Sequence, residues 1–206
     1  MKKIYVASFS GGKDSTAMIL RLIKEKKKLH YVVFYDTGME FKATYEVVKQ
    51  IKARVETYGA VFVWIKSETD FLVDMLLRPV KERETGNIHY GYDWCGGCTR
   101  WRTSHKVSAI NKFLASLDGE VHQYIGMAAD EQDRFEDVET IHYPLDQWNM
   151  TEADALAYCY ENGIRWLENG ICLYSILKRV SCWCCKNKNR EELKTTGIIC
   201  LNTGNF

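Results

Sequence analysis

Proline is nearly absent: two residues in 206 leave no proline-rich linker to mark a domain boundary. An excess of charge of one sign is missing too, since 28 basic and 27 acidic side chains leave a formal net charge of +1. No general field draws this surface to nucleic acid or to an anionic membrane, so any nucleic-acid contact has to be a local patch. No apolar run approaches membrane-spanning length. Met1-Lys2-Lys3 leads straight into an apolar run, unlike a signal peptide. Internal repeats and low-complexity segments are lacking. These absences lead us to expect a cytoplasmic protein with no membrane partner, built as one buried domain or one domain with a small appendage.

Cysteine, in contrast, is plentiful, with eight residues. In a reducing compartment disulfides are disfavoured, so metal binding or redox work is the better expectation. Cys95 and Cys98 form one Cys-x-x-Cys and Cys182 and Cys185 another. Two thiolates from one tight turn reach one ion, and two such turns complete a tetrahedron. These four are the candidate metal ligands. Zinc is favoured by the paired spacing, with a [4Fe–4S] cluster as the alternative, because thiolates suit both. Cys184 is a spare thiol that would replace a ligand or carry sulfur, whereas Cys159 is expected to pack.

The chain is organised around Ser8-Phe9-Ser10-Gly11-Gly12-Lys13-Asp14-Ser15-Thr16, between an apolar strand at Ile4–Ala7 and a helix through Ala17–Ile23. Adjacent glycines let the backbone turn sharply and approach a ligand. The following helix N-terminus offers free N–H groups, Ser10, Ser15 and Thr16 add hydroxyls, and Lys13 adds a cation, which together suit phosphate oxygens. This is not a Walker A loop, which needs four residues between its glycines and Gly-Lys-Ser/Thr after them.

Apolar runs predict further buried strands at Tyr31–Tyr35, Val61–Ile65 and Val121–Gly126, with a weaker fifth at Glu139–Tyr143. Helical periodicity lies between them, over Glu40–Tyr58 and through Val107, Ile110, Phe113, Leu114 and Leu117. The alternation predicts an α/β fold with a doubly wound parallel five-stranded sheet. Ligands of such sheets bind beyond the strand carboxyl ends, where Tyr35-Asp36-Thr37-Gly38, Gly126-Met127 and Arg134 stand. Phe71–Leu77 reads as a short helix and Lys81–Tyr92 as a loop over that edge. Arg100, Arg102, His105 and Lys106 form a basic cluster for an anionic group, Lys106 and Arg102 first. Thr151 to Asp154 resembles a capping box, and Gly163 stops its helix. Asn189–Lys194 starts another helix, while Thr195–Asn205, with two glycines, abandons the helical period. We take that tail as the product of a single-base deletion in the coding sequence.

The string Ser-x-Gly-Gly-x-Asp-Ser resembles the pyrophosphate (PP) loop of the ATP-pyrophosphatase, or adenine nucleotide alpha hydrolase, superfamily. The order of motifs narrows this. It runs from the loop through Asp36-Thr37-Gly38 with Phe41, the cysteine segment Cys98 to Lys106, and Gly126 to Arg134. Pro144-Leu145 with Trp148 and Leu173-Tyr174 follow, and Arg179-Val180-Ser181-Cys182 through Cys185 closes the series. In this order, over Ile4 to about Leu193, the chain resembles the phosphoadenosine phosphosulfate (PAPS) reductase family. Two departures stand out: no Glu-Cys-Gly-Leu-His-type tail is present, and the usual Gly-x-Arg reads Gly126-Met127-Ala128.

The resemblance implies an adenine nucleotide alpha hydrolase-like domain over 1–150 and a helical, Cys-rich C-terminal element over 151–206 packed on it. It implies ATP held by Ser8, Ser10, Gly11, Gly12, Lys13, Asp14, Ser15, Thr16, Tyr35, Asp36, Thr37, Gly38, Gly126, Met127 and Arg134. Mg²⁺ would be placed by Asp14 or Asp36. Lys13, Asp14, Ser15 and Lys106 would carry catalysis. The implied reaction adenylates a substrate with release of pyrophosphate, for sulfur transfer from a donor protein to a tRNA or DNA acceptor. Two other readings stay open: a PAPS or APS reductase using an external thiol, and a nucleotide-sensing subunit without turnover. A homodimer is also left open.

Overall fold

A computed structural model describes residues 2–91, 101–185 and 188–203, the side chains of 101–104 and 198–203 apart. Strand β1 (Lys3–Phe9) is covered on both faces, which is why it is apolar almost throughout. It runs into helix α1 (Lys13–Lys24), whose N-cap is Gly12. Strand β2 (Tyr31–Asp36), helix α2 (Lys42–Tyr58) and strand β3 (Val61–Lys66) follow. Next come the short helix α3 (Phe71–Leu76) and the hairpin β4 (Pro79–Lys81) with β5 (Ile88–Tyr90), then helix α4 (Trp101–Ala115) and strand β6 (Glu120–Ile125). A 3₁₀ turn (Ala129–Arg134) precedes strand β7 (Ile141–His142), helix α5 (Pro144–Gln147) and helix α6 (Glu152–Glu161). The hairpin β8 (Leu167–Glu168) with β9 (Ile171–Cys172) and a 3₁₀ turn (Leu173–Ser175) lead to helix α7 (Arg190–Thr203).

The central sheet has five strands in the order β3-β2-β1-β6-β7, and every pairing is parallel. On one face α1 and α2 bury Met18, Ile19, Val47 and Val48 against Ala7, Phe9, Val32 and Phe34. On the other, α4 presses Ile110, Phe113 and Leu114 onto Ile4, Val6 and Val33. Helices on both faces make the sheet doubly wound, as its pattern predicts. The chain reverses direction across the sheet between β1 and β6, which opens a crevice at their carboxyl ends. Helix α6 lies on α1, burying Ala155 and Cys159. Its N-cap Thr151 and Asp154 form the expected capping box.

Three local expectations are corrected. Residues 81–92 are not a loop as far as they are described. Pro79–Lys81 and Ile88–Tyr90 pair as an antiparallel hairpin, its turn made possible by Gly86 at φ +73°. Val107 does not join the core face of α4, being 51% exposed. The tail does not abandon its helix, since α7 continues to Thr203. A reciprocal pair starts it: Glu192 N donates to Asn189 Oδ1 and Asn189 N to Glu192 Oε2, both at 2.9 Å. Gly197 faces open space and costs about 1 kcal/mol relative to alanine, too little to break a capped helix.

At the opposite, amino-terminal side of the sheet, Tyr5, His122 and His142 stack in a row. His122 Nδ1 and His142 Nε2 lie 2.9 Å apart, a bond that needs one nitrogen to accept. Burial first, then the neighbouring His122 and Lys3, hold the His142 pKa below its ordinary value. Its neutral form is therefore favoured in the folded state. The stability it contributes is present above the unfolded value near pH 6.5 and is lost as pH falls through the lower folded one. Denaturant midpoints measured between pH 7.5 and pH 5 should show this as a decline that is shallower in His142→Gln. Parallel declines in the two proteins would remove His142 as the cause.

Candidate active site

A cavity of about 410 Å³ occupies the crevice between β1 and β6. The loop lines one wall with Ser8, Ser10, Gly12, Lys13, Asp14 and Ser15. Gly126 and Met127 line a second, Lys106 of α4 a third, and Arg134 and Arg179 stand at the rim with Glu131. Two glycines set the walls. Gly11 sits at φ +78°, and a Cβ there would meet Thr44 Cγ2 at 2.7 Å. A Cβ on Gly126 would lie 2.7 Å from Ser15 Cα, so the end of β6 closes on the loop only because a side chain is lacking.

Within the loop, Ser15 Oγ lies 3.0 Å from Ser10 Oγ and accepts from Ser10 N at 3.2 Å. Thr16 is fully buried, and its hydroxyl donates to Gly12 O at 2.8 Å. It shapes the turn and faces away from the cavity. Ser8 Oγ accepts from Gln123 Nε2 of β6 at 2.7 Å, tying the two strand ends.

Lys13 is 5% exposed, and its Nζ lies 3.0 Å from both Asp14 Oδ2 and Glu152 Oε2. Glu152 Oε1 in turn receives Arg179 at 3.3 Å, and Arg179 reaches Glu131 at 2.7 Å, where Arg134 also binds. The two carboxylates on Lys13 diverge. Burial pushes Asp14 above its ordinary pKa, against the opposing pull of Lys13. For Glu152 burial also acts upward, but Lys13 and Arg179 together bring it below the usual range. Asp14 Oδ1 is buried without a hydrogen-bond partner. A carboxylate oxygen in that state fits a divalent cation. Asp36 does not: Oδ1 accepts from Gly38 N at 2.8 Å and Tyr45 OH at 2.7 Å, and Oδ2 from Trp64 Nε1 at 3.1 Å.

The C-terminal part of the chain braces the loop from behind. Trp166 Nε1 donates to Gly11 O at 2.8 Å, Tyr174 OH accepts from Lys13 N at 2.8 Å, and Cys159 Sγ donates to Lys13 O at 3.3 Å. Burial raises the Cys159 thiol to about 12, so it stays protonated and structural, as expected of it.

The family model of the phosphoadenosine phosphosulfate reductase domain matches residues 4–166. The chain belongs to this family. A protein of Methanocaldococcus jannaschii described as uncharacterized is 27% identical over 128 residues, which are 62% of this chain and 23% of that protein. This PAPS reductase-family chain thus spans less than a quarter of that relative's length. Among solved structures, the U34-tRNA thiolase NcsA from Methanococcus maripaludis with its [4Fe-4S] cluster is similar at 15% identity with a TM-score of 0.48, over 100% of this chain and 68% of that one.

The family's Asp-Thr-Gly segment lies beside the cavity wall rather than on it. Tyr35 lines a separate cleft, and Thr37 Oγ1 donates to Glu40 Oε1 at 3.0 Å and lies 3.4 Å from Cys182 Sγ. Cys182 also donates to Glu40 at 3.3 Å, and burial, then the charge of Glu40, raise its pKa well above the ordinary thiol value. Cys185 N donates to Cys182 O at 3.0 Å, so these two cysteines flank one tight turn. The ammonium of Lys188 fastens that turn through Cys182 O at 2.8 Å. Cys184 is 2% exposed and packs with Met39 and Phe71. Cys95, Cys98 and Arg100 lie outside the described residues, as does the side chain of Arg102. Among the described residues no group of three or more His, Cys, Asp or Glu suits a metal.

Glu131, Glu152, Trp166 and Arg179 are site residues that sequence reasoning did not single out for nucleotide contact. Arg179 stands in the motif before the cysteine turn, which is the signal that finds it. With Arg134 it supplies the cationic rim that Gly126-Met127-Ala128 lacks.

Proposed function

We propose that this PAPS reductase-family chain binds ATP in the cavity between β1 and β6 and cleaves it between the α- and β-phosphates, adenylating an acceptor that then receives sulfur. The observation that carries the reading is the meeting, in one crevice, of the loop, the unpartnered Asp14 oxygen and four cations: Lys13, Lys106, Arg134 and Arg179. Loop N–H groups and the Ser10 and Ser15 hydroxyls hold the departing pyrophosphate. Mg²⁺ held by Asp14 would supply charge neutralisation at the phosphates. An acceptor oxygen forms a bond to the α-phosphorus as the bond to the β-phosphate oxygen breaks, and the electron pair leaves with pyrophosphate. Catalysis is positioning and charge stabilisation, with Lys13 kept in place by Asp14 and Glu152. A sulfur-donor protein then displaces AMP.

Cys182 and Cys185, with Cys95 and Cys98, are the donor set for zinc, or for a [4Fe–4S] cluster. The tight turn at Cys182–Cys185 supports the half of that set that is described. The family match also supports a second reading, reduction of an adenylyl sulfate by an external thiol. Incubation with Mg·ATP and candidate RNA or DNA acceptors should release pyrophosphate and leave AMP on the acceptor, to be freed when a sulfur donor is added. ADP with orthophosphate as sole products would overturn the proposal, and sulfite released from an adenylyl sulfate with thioredoxin would establish the second reading in its place.

A further inference from the structure

Trp166, Tyr174 and Cys159 all bond to the loop, and of these Tyr174 also lines the nucleotide cavity. Its place is fixed from two sides. Leu173 is fully buried and its N–H donates to Trp166 O at 2.8 Å, which pins the 3₁₀ turn Leu173–Ser175. The Tyr174 ring then stands edge-on to Trp166, at an interplanar angle of 86°. The hydroxyl thereby arrives at the N-terminus of α1, 3.4 Å from where a Cβ on Gly12 would stand.

The phenol oxygen accepts from Lys13 N at 2.8 Å, and this is the hydroxyl's one hydrogen bond among the described residues. A loop N–H that a phosphate oxygen would take is thus already covered, while the hydrogen on the covering oxygen is given to no protein group. A hydroxyl both accepts and donates, and accepting polarises it into a better donor. Burial, opposed by the Lys13 N–H and aided by the charge of Asp14, holds the Tyr174 pKa above the ordinary phenol value, so the hydrogen stays in place. Thr16, whose hydroxyl belongs to the same helix end, spends its hydrogen on Gly12 O instead. The cavity that Tyr174 faces is lined by Lys13, Lys106, Arg134 and Arg179, a set that suits an anion rich in acceptor oxygens.

We propose that Tyr174 is a further catalytic residue of this site: its O–H donates to a phosphate oxygen at the pyrophosphate end of the nucleotide, in place of the Lys13 N–H that it covers, and stabilises the charge that builds there as pyrophosphate leaves. The assignment rests on the adenylation reading for the step, though not for the phosphate contact itself.

The test uses the full chain with two ligands, inorganic pyrophosphate and ATP, each with Mg²⁺. Tyr174→Phe removes the hydroxyl and keeps the ring against Trp166. Calorimetric affinity for pyrophosphate should fall about tenfold, the loss expected for one hydrogen bond to a charged group. Release of pyrophosphate from ATP with an acceptor should fall further, about a hundredfold, because the bond strengthens as charge develops. Trp166→Phe gives the scale of a purely structural loss, since it loosens the loop from behind and touches no ligand. Affinity lost per degree of melting temperature should be several-fold greater in Tyr174→Phe. In the chain labelled with 3-fluorotyrosine, the ¹⁹F resonance missing from Tyr174→Phe should shift on addition of pyrophosphate and stay in place with adenosine. A wild type that does not bind pyrophosphate, losses in step with melting temperature in both variants, or an unmoved Tyr174 resonance would overturn the proposal. Hydroxyl-dependent pyrophosphate affinity without any release of pyrophosphate from ATP would keep the phosphate contact and sink the adenylation reading. Wild-type affinity and turnover in Tyr174→Phe would sink the Tyr174 assignment alone.

Discussion

Asp14→Ala should reduce pyrophosphate release by about 10²–10³-fold or more, the range for loss of a preorganised electrostatic contact, while leaving the protein at least as stable as before. The two halves of this expectation have one cause. Asp14 is buried, one of its oxygens is unpartnered, and burial lifts its pKa above the ordinary carboxylate value. A raised folded pKa means that the group's contribution to stability is full below the unfolded value and lost as pH rises through the folded one. The charged form of Asp14 is thus disfavoured by folding, tolerated for what it does with ligand bound. Lys13 keeps Glu152 as a partner in the variant, so no buried cation is orphaned. Pyrophosphate assays and thermal melts of the same preparations decide the matter. Retained turnover, or a melt lowered by many degrees, would contradict this role for Asp14.

Trp166→Ala carries the largest expected effect on stability. Trp166 is fully buried, meets Tyr174 edge to face with centroids 4.9 Å apart, and holds the Gly11 carbonyl. Removing it leaves a cavity and an unpaired carbonyl directly behind the loop. Loss of a buried tryptophan costs about 3–5 kcal/mol. For a chain of this length that is a drop of about 6–20 °C in melting temperature. Trp166→Phe separates the two components, because it keeps most of the volume and loses only the N–H. Its cost should be about 1–3 kcal/mol, that of leaving a buried polar group unmet. Urea denaturation of the two variants measures both. An alanine variant melting within a few degrees of wild type would show that the loop does not depend on this brace.

Much of the sheet could be read from the sequence because its signals are local. Ile4–Ala7, Tyr31–Tyr35 and Val61–Ile65 are apolar runs bounded by turn residues, and each became a parallel strand. The capping box at Thr151 was legible for the same reason, its partners being three residues apart. The loop's position followed from strand, Gly-Gly and helix in succession. What stayed hidden was long-range. Nothing around Trp166, Tyr174 or Glu152 marks a contact with residues more than a hundred positions earlier, since such contacts leave no periodic trace. Burial direction was equally silent: Thr16 looks like a phosphate hydroxyl in the string but turns into the core to hold Gly12 O. Asp36 looks like a cation ligand beyond a strand end, yet Tyr45 and Trp64 have already taken its oxygens. In α7 a two-residue capping exchange outweighed a glycine that seemed to end the helix.

The account's central claim is the position of the bond that breaks, and a pair of ATP analogues tests it directly. With Mg²⁺ and an accepting nucleic acid, the β,γ-methylene analogue should release methylenediphosphonate and leave its AMP on the acceptor, because its α–β oxygen bridge is intact. The α,β-methylene analogue should be recovered unchanged. Phosphorus NMR of the two reaction mixtures reports both outcomes in one measurement. Cleavage of the α,β-methylene analogue, with orthophosphate appearing and the β,γ-methylene analogue untouched, would place the reaction at the γ-phosphate and contradict the account.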